Sequence, residues 1–231
     1  MKDRPILFSG QMVRALLAGE KTQTRRVLAK QPQPNGGKGL HPVAPYQTPS
    51  GMWTWVLAAT GHGNGGGNEF LCPYGQPGEM LWVRECFSYG FSVDKDVERR
   101  HLITPWFWAD GNPEQGDYAK PRPSIHMPRW ASRTTLEITG VRVERLNSIS
   151  EMDAYHEGID VEGEPYLAAE SAKSAGVNCP PASVCAYADL WDSINGSGAW
   201  HVNPWVWVVE FKVHQKNVDY FIESMTKGAA A

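Results

Sequence analysis

Trp205-Val206-Trp207-Val208-Val209-Glu210-Phe211-Lys212-Val213 is the clearest strand in the chain. β-Branched and aromatic residues fill it, and neither glycine nor proline interrupts it. Period-two alternation puts Trp205, Trp207, Val209 and Phe211 on one face. Thr134 to Leu146 repeats the pattern, with Leu136 and Ile138 sharing a face. A register change at Gly140 brings Val141 and Val143 to that same face, which is the signature of a bulge. Further strands are expected at Met52–Leu57, at Met80–Phe87 after the turn Gln76-Pro77-Gly78-Glu79, and at Pro105–Ala109 before Asp110-Gly111.

Helices are short. Residues 11–18 set Met12, Val13, Leu16 and Leu17 on one face, with Ser9 or Gly10 as start and Gly19 as stop. Ser150 to Glu157 carries an N-cap serine with Asp153 three residues on and Gly158 as C-cap. Ala182 to Ile194 has helical spacing at Val184, Tyr187, Ala188, Trp191 and Ile194, closed by Asn195-Gly196. Residues 31–51 and 58–68 are rich in Pro, Gly and Asn and read as loops, and 160–181 reads as an insertion. Residues 112–123 form a Pro-rich connection. Irregularly spaced strands with a few short helices predict an α+β domain, a small β-barrel decorated with helices. It occupies residues 1–226 as a single domain, and 227–231 reads as a disordered appended tail.

A chain of 231 residues can bury a sizeable core. Its net charge of -3 demands neither a nucleic-acid nor a membrane partner on bulk electrostatics, although a local basic patch stays open. No apolar run approaches the roughly 20 residues that span a bilayer. Met1-Lys2-Asp3-Arg4-Pro5 meets polar Ser9-Gly10-Gln11 too soon for a signal peptide, so a cytoplasmic location is expected. Cys72, Cys86, Cys179 and Cys185 make no Cys-x-x-Cys pair and no zinc spacing with histidine, and read as free buried thiols. No metal or organic cofactor is implied.

The chemistry-bearing stretch is Leu16-Leu17-Ala18-Gly19-Glu20-Lys21-Thr22-Gln23-Thr24-Arg25-Arg26. Hydroxyls and cations crowd together just past a helix end. A threonine hydroxyl attacks an amide only if a neighbouring base takes its proton, and a lysine serves when burial or adjacent cations such as Arg25 and Arg26 lower its pKa. A glutamate in the same pocket can protonate the leaving amine. Equally, Lys21, Thr22 and Thr24 can simply satisfy a helix end and begin a strand.

Gly19 to Arg26 resembles the Gly-x-Lys-Thr-x-Thr-x-Arg signature of the ASCH domain, a β-barrel of the PUA-like superfamily. Gly78-Glu79-Met80-Leu81-Trp82-Val83, the strand and helix from Glu137 to Glu157, and the closing Val209-Glu210-Phe211-Lys212 follow in the order of that family. Ser124-Ile125-His126-Met127-Pro128-Arg129-Trp130 and Leu190-Trp191-Asp192-Ser193-Ile194-Asn195-Gly196 are similar to the long form found in phages and prophages. The resemblance implies a PUA/ASCH-like barrel with long insertions, encoded by a phage or prophage. It also implies kinship with small amidohydrolases that deacetylate N4-acetylcytidine. Their lysine, threonine and glutamate fall on Lys21, Thr24 and Glu157, with Glu151 a competitor for the carboxylate.

A second reading is a module that binds RNA or DNA without cutting it, or a ribonuclease. Arg25, Arg26, Arg84, Arg122, Arg129 and Arg133 supply cations, and Trp82 and Trp130 supply stacking surfaces. His126 sits in a Pro-stiffened run with Arg129 and Trp130, and histidine is a side chain suited to acid or base work near neutral pH. Thr22 completes the expected binding set. The expected partner is a modified nucleoside or single-stranded nucleic acid, RNA before DNA, with no membrane. A third reading is a phage structural or interaction protein that uses exposed tryptophans.

Overall fold

The structure, a computed structural model, describes residues 2–32, 43–57, 69–89, 105–112, 119–159 and 180–228. The chain divides into two compact units, one of residues 1–20, 78–138 and 212–231, the other of 21–77 and 139–211. The fold is α+β. Five strands hydrogen-bond as a mixed sheet in the order β1-β5-β8-β9-β2, and two separate hairpins accompany it. β1 and β2 each end the order, so the described strands form no closed barrel.

In the first unit, β1 (Asp3–Leu7) runs parallel to β5 (Met80–Arg84), from Asp3 opposite Met80 to Leu7 opposite Arg84. β5 pairs antiparallel with the start of β8 (Thr135–Arg145), Leu81 facing Leu136. The strand expected at Met80–Phe87 breaks at Glu85, which turns inward to a buried salt bridge with Arg133 at 2.9 Å. It resumes as β6 (Phe87–Tyr89), hairpinned to β7 (Pro105–Phe107). The expected strand at 105–109 stops at Phe107, and Trp108–Asp110 form a 3-10 turn.

Helix α1 (Gly10–Ala18) follows the sequence closely. The Ser9 hydroxyl accepts from the Met12 amide at its start, and Val13, Ala15 and Leu16 are its buried side chains. Gly19, at φ 79°, ends it: the Gly19 amide donates to Leu16 and the Glu20 amide to Ala15, the paired bonds of a Schellman closure. The last helix, spanning Val218–Gly228, was absent from the sequence reading. Val218 and Phe221 bury against Met80 and Trp82. This helix also includes Lys227, which pairs with Glu223, so the expected tail is shorter than 227–231 and its remainder lies outside the described residues.

In the second unit, β2 (Gln23–Val27) runs antiparallel to β9 (Trp205–His214), with Thr24 opposite Val209 and Arg26 opposite Trp207. β3 (Val43–Gln47), within the 31–51 stretch expected as a loop, hairpins with β4 (Trp53–Leu57), the strand expected at Met52–Leu57. Among the described residues β3 has only β4 beside it, which is where a strand containing Pro45 is tolerated. Helix α2 (Glu151–His156) has the full capping box of Ser150 and Asp153; its C-cap is Glu157, one residue before the expected Gly158, which follows at φ 83°. Helix α3 (Ala182–Asn195) packs Val184, Tyr187 and Trp191 against Val206 and Val208. The last helix of the first unit is therefore α4.

Along the continuous strand β8 Leu136, Ile138 and Val143 are buried, while Val141, expected to join them on one face past Gly140, is half-buried. A Cβ at Gly140 would lie 2.5 Å from a carboxylate oxygen of Glu210, so glycine admits that side chain. Of the cysteines expected to be buried, only Cys72 is; Cys86 is half-buried, Cys185 exposed, and Cys179 lies outside the described residues.

Candidate functional site

The Schellman closure of α1 delivers the chain straight to Lys21. There the backbone bridges Glu157, the residue that caps α2, and the Thr22 amide donates to the His156 carbonyl. The Lys21 ammonium donates to Glu157 twice, to carboxylate Oε2 at 2.7 Å and to the backbone carbonyl at 2.8 Å. Lys21 is fully buried and Glu157 almost so. Glu151, the competing carboxylate, is exposed in the first turn of α2. Burial drives the Lys21 amine below its ordinary pKa; Glu157 opposes this, while Arg26 and Arg25 add to it.

The second oxygen of Glu157 accepts from Arg25 Nη1 at 3.2 Å. The Tyr187 hydroxyl hydrogen-bonds the same carboxylate; burial first, then the Glu157 charge, push its pKa far up, against the pull of Arg25 and Arg26. Arg25 also reaches Glu144 at 2.6 Å and Asp153 at 3.4 Å. Arg142 binds Glu144 at 3.1 Å, Asp153 at 2.8 Å, and Glu210. Gln23 donates to both the backbone carbonyl and the carboxylate of Asp153. Burial works against ionising Asp153, yet hydrogen bonds from Ser150 and Gln23 and the Arg25 charge outweigh it and hold the carboxyl far below the usual range. The result is a connected network of Lys21, Arg25 and Arg142 with Glu144, Asp153, Glu157 and Glu210. Within it Arg25 Nε is buried with no partner among the described residues, as are Ser183 Oγ and Trp191 Nε1 on α3.

β2 has two different faces. Gln23 and Arg25 point to α2 and the network, and Val208, opposite Arg25, belongs to the core beneath α3. Thr24 and Arg26 alternate to the other face, which they share with Val209 and Trp207. Trp207 joins an aromatic cluster there, 5.8 Å from Trp53 and 5.7 Å from Phe70, while Trp55 lies 5.2 Å from Trp205. Tyr74 is raised by burial, with the Arg26 charge pulling against it. The structure thus brings Lys21, Arg25 and Glu157 together and sets Thr24, also buried, on the alternate face of the strand. Thr22 is half-buried, its amide and carbonyl used by His156 and Phe211.

The other expected residues belong to the first unit. Trp82 is not a stacking surface: it is 8% exposed, in the core with Met80, Val218 and Phe221. Arg84 lies over its ring at 5.2 Å and donates to the carbonyls of Ile125 and Met127. Arg129 is held by Asp3 and Asp219, and Arg133 by Glu85 and Asp110, so neither is a spare cation. His126 and Trp130 are exposed. Arg142, Glu144, Asp153 and Tyr187 were missed as site residues. The one local signal was Asp153, read only as a cap; the others meet the site through pairings far along the chain.

Among the described residues no three His, Cys, Asp or Glu side chains gather as a metal site, and no helix is long and apolar enough to cross a membrane. No family model matches this chain, and neither curated proteins nor solved structures yield a match.

Proposed function

We infer that this protein is an ASCH-like protein of phage or prophage type, with a divergent PUA-like sheet. In this reading it recognises a cytosine nucleoside or nucleic acid and hydrolyses the amide of an N4-acylated cytosine. The observation that carries the reading is the fully buried Lys21 amine, 2.7 Å from the Glu157 carboxylate. Burial favours the neutral amine that a general base requires; that amine would take the proton of the attacking hydroxyl and pass it to the Glu157 carboxylate, which would give it to the departing amine nitrogen. Lys21→Ala and Glu157→Gln should each lower deacetylation of N4-acetylcytidine by about 100-fold or more. Activity should rise with pH through the lowered Lys21 pKa, because only the unprotonated amine accepts a proton. An unchanged rate in Lys21→Ala would remove the hydrolase reading.

The alternation of β2 favours a second reading, recognition without hydrolysis. Thr24 shares its face with Arg26, and a hydroxyl beside a cation can meet the polar edge of a base, while Trp207 on that face is packed in the aromatic cluster. Thr24→Val separates the two. Loss of turnover with binding of the nucleoside retained assigns Thr24 as the nucleophile; loss of binding assigns it to recognition.

A further inference from the structure

The run from Ala119 to Thr135 contains no carboxylate but carries Lys120, Arg122, His126, Arg129 and Arg133. Arg129 and Arg133 are neutralised by their acidic partners. Lys120, Arg122 and His126 are exposed and meet no carboxylate among the described residues. Trp130 stands beside them, 55% exposed, and stacks on Tyr89 with centroids 6.2 Å apart and planes 18° from parallel. The Arg122 guanidinium lies over the same Tyr89 ring at 5.2 Å. Cation, phenol and indole are therefore presented together on one surface.

That surface is held rigidly from behind. Asn217 Nδ2 donates to the carbonyls of Arg129, Trp130 and Ser132 at 3.0, 3.2 and 2.8 Å. Arg84 binds the carbonyls of Ile125 and Met127, and the Met127 side chain is fully buried. A fixed turn spends little ordering entropy when a ligand arrives. Trp130 is 55% exposed, and Arg122 pairs with Phe87 through its backbone, so that among the described residues its guanidinium meets only the Tyr89 ring and no carboxylate.

We propose that this face docks single-stranded RNA: a base stacks on Trp130 while Lys120 and Arg122 meet phosphates, with the His126 ring beside them. An acidic protein would use the cations but gains nothing from an exposed indole–phenol stack, whereas every nucleobase has a π-face to lay on it. The choice of RNA over DNA rests on the ribonucleoside of the proposed function; the surface itself does not depend on that reading.

The test is fluorescence anisotropy of a labelled RNA of about 12 nucleotides with the full chain over a salt series. Two cationic phosphate contacts, from Lys120 and Arg122, at roughly −0.7 each predict a log–log salt slope of about −1.4. Lys120→Ala with Arg122→Ala should flatten that slope by about 1.4. Trp130→Ala should weaken binding about tenfold at every salt concentration and leave the slope alone. No binding at about 50 mM salt, or full affinity in Trp130→Ala, overturns the proposal. Displacement by polyglutamate as effective as by unlabelled RNA overturns it in favour of an acidic protein, and tighter binding of the matching DNA strand overturns the choice of RNA. Trp130→Ala that loses RNA yet still deacetylates free N4-acetylcytidine supports the docking surface, and a chain that binds RNA but never deacetylates removes only the hydrolase.

Discussion

Two regions of this protein use the same cations in opposite ways. Around Glu157, Lys21 and Arg25 are buried and each meets at least one carboxylate. On the run that leads to Trp130, Lys120 and Arg122 stand in solvent with no counter-charge among the described residues. A buried charge must be paired, because leaving it unpaired costs several kcal/mol, whereas an exposed cation is stabilised by water and remains available to a partner. The first arrangement makes each charge dependent on its neighbours. The second makes each one independent.

The sharpest way to break this comparison is to remove one partner from the buried pair. Glu157→Leu alone should cost about 3–5 kcal/mol in denaturant unfolding, because it takes a carboxylate from both Lys21 and Arg25, whereas Lys21→Met should cost less, since Arg25 still pairs with Glu157, and the double variant should recover part of the Glu157→Leu loss. Additive losses would show that the two groups are not coupled.

A smaller effect is expected from pH. The lowered Asp153 pKa contributes stability that is present above the ordinary carboxylate value of about 3.9 and is lost as pH falls through the lower folded value. Asp153→Asn should flatten that acid limb and, through the damaged capping box, cost about 1–2 kcal/mol near neutrality. Lys21 works at the other end. Its folded pKa lies below the unfolded value of about 10.4, so the unfolded chain holds more protons in that window. Wild type should therefore gain stability relative to Lys21→Met as pH rises toward that value.

Arg129 is the intermediate case, 38% exposed at its side chain yet paired with Asp3 and Asp219. Arg129→Ala should cost about 1 kcal/mol, partly screened by salt. At the far end, Arg122→Ala and Trp130→Ala should stay within about 0.5 kcal/mol of wild type by thermal or urea unfolding. A larger loss would mean that these side chains serve the fold rather than a ligand.

Much of the architecture was legible because its cause is local. Alternation along 205–213 and 134–146 and the caps at Ser9, Gly19 and Ser150 each announce an element within a few residues. β1 was not legible: five residues, one of them proline, become a strand only because β5 lies parallel to them, more than seventy residues on. β3 is likewise made by its partner rather than by its own propensity. Val218, Phe221 and Ile222 in α4 do carry helical spacing, but so much of that helix is exposed that the apolar stripe is narrow. At the site, resemblance pointed to Lys21 and Glu157, and the structure joins them. Glu144, Arg142 and Tyr187 had no such pointer, since a charged residue in a strand reads as solvent-facing until its partner is known.

The short strand β2 carries a consequence for how this sequence can vary. Gln23 and Arg25 belong to an electrostatic network, and Thr24 and Arg26 to the face of Trp207 and its aromatic neighbours. A saturation library over residues 21–27 should record two interleaved grammars, charge and hydrogen-bonding capacity at 21, 23 and 25, and bulk and shape at 24 and 26. One inserted residue would exchange the two grammars from that point onward, leaving composition almost untouched while sending every later side chain to the wrong audience.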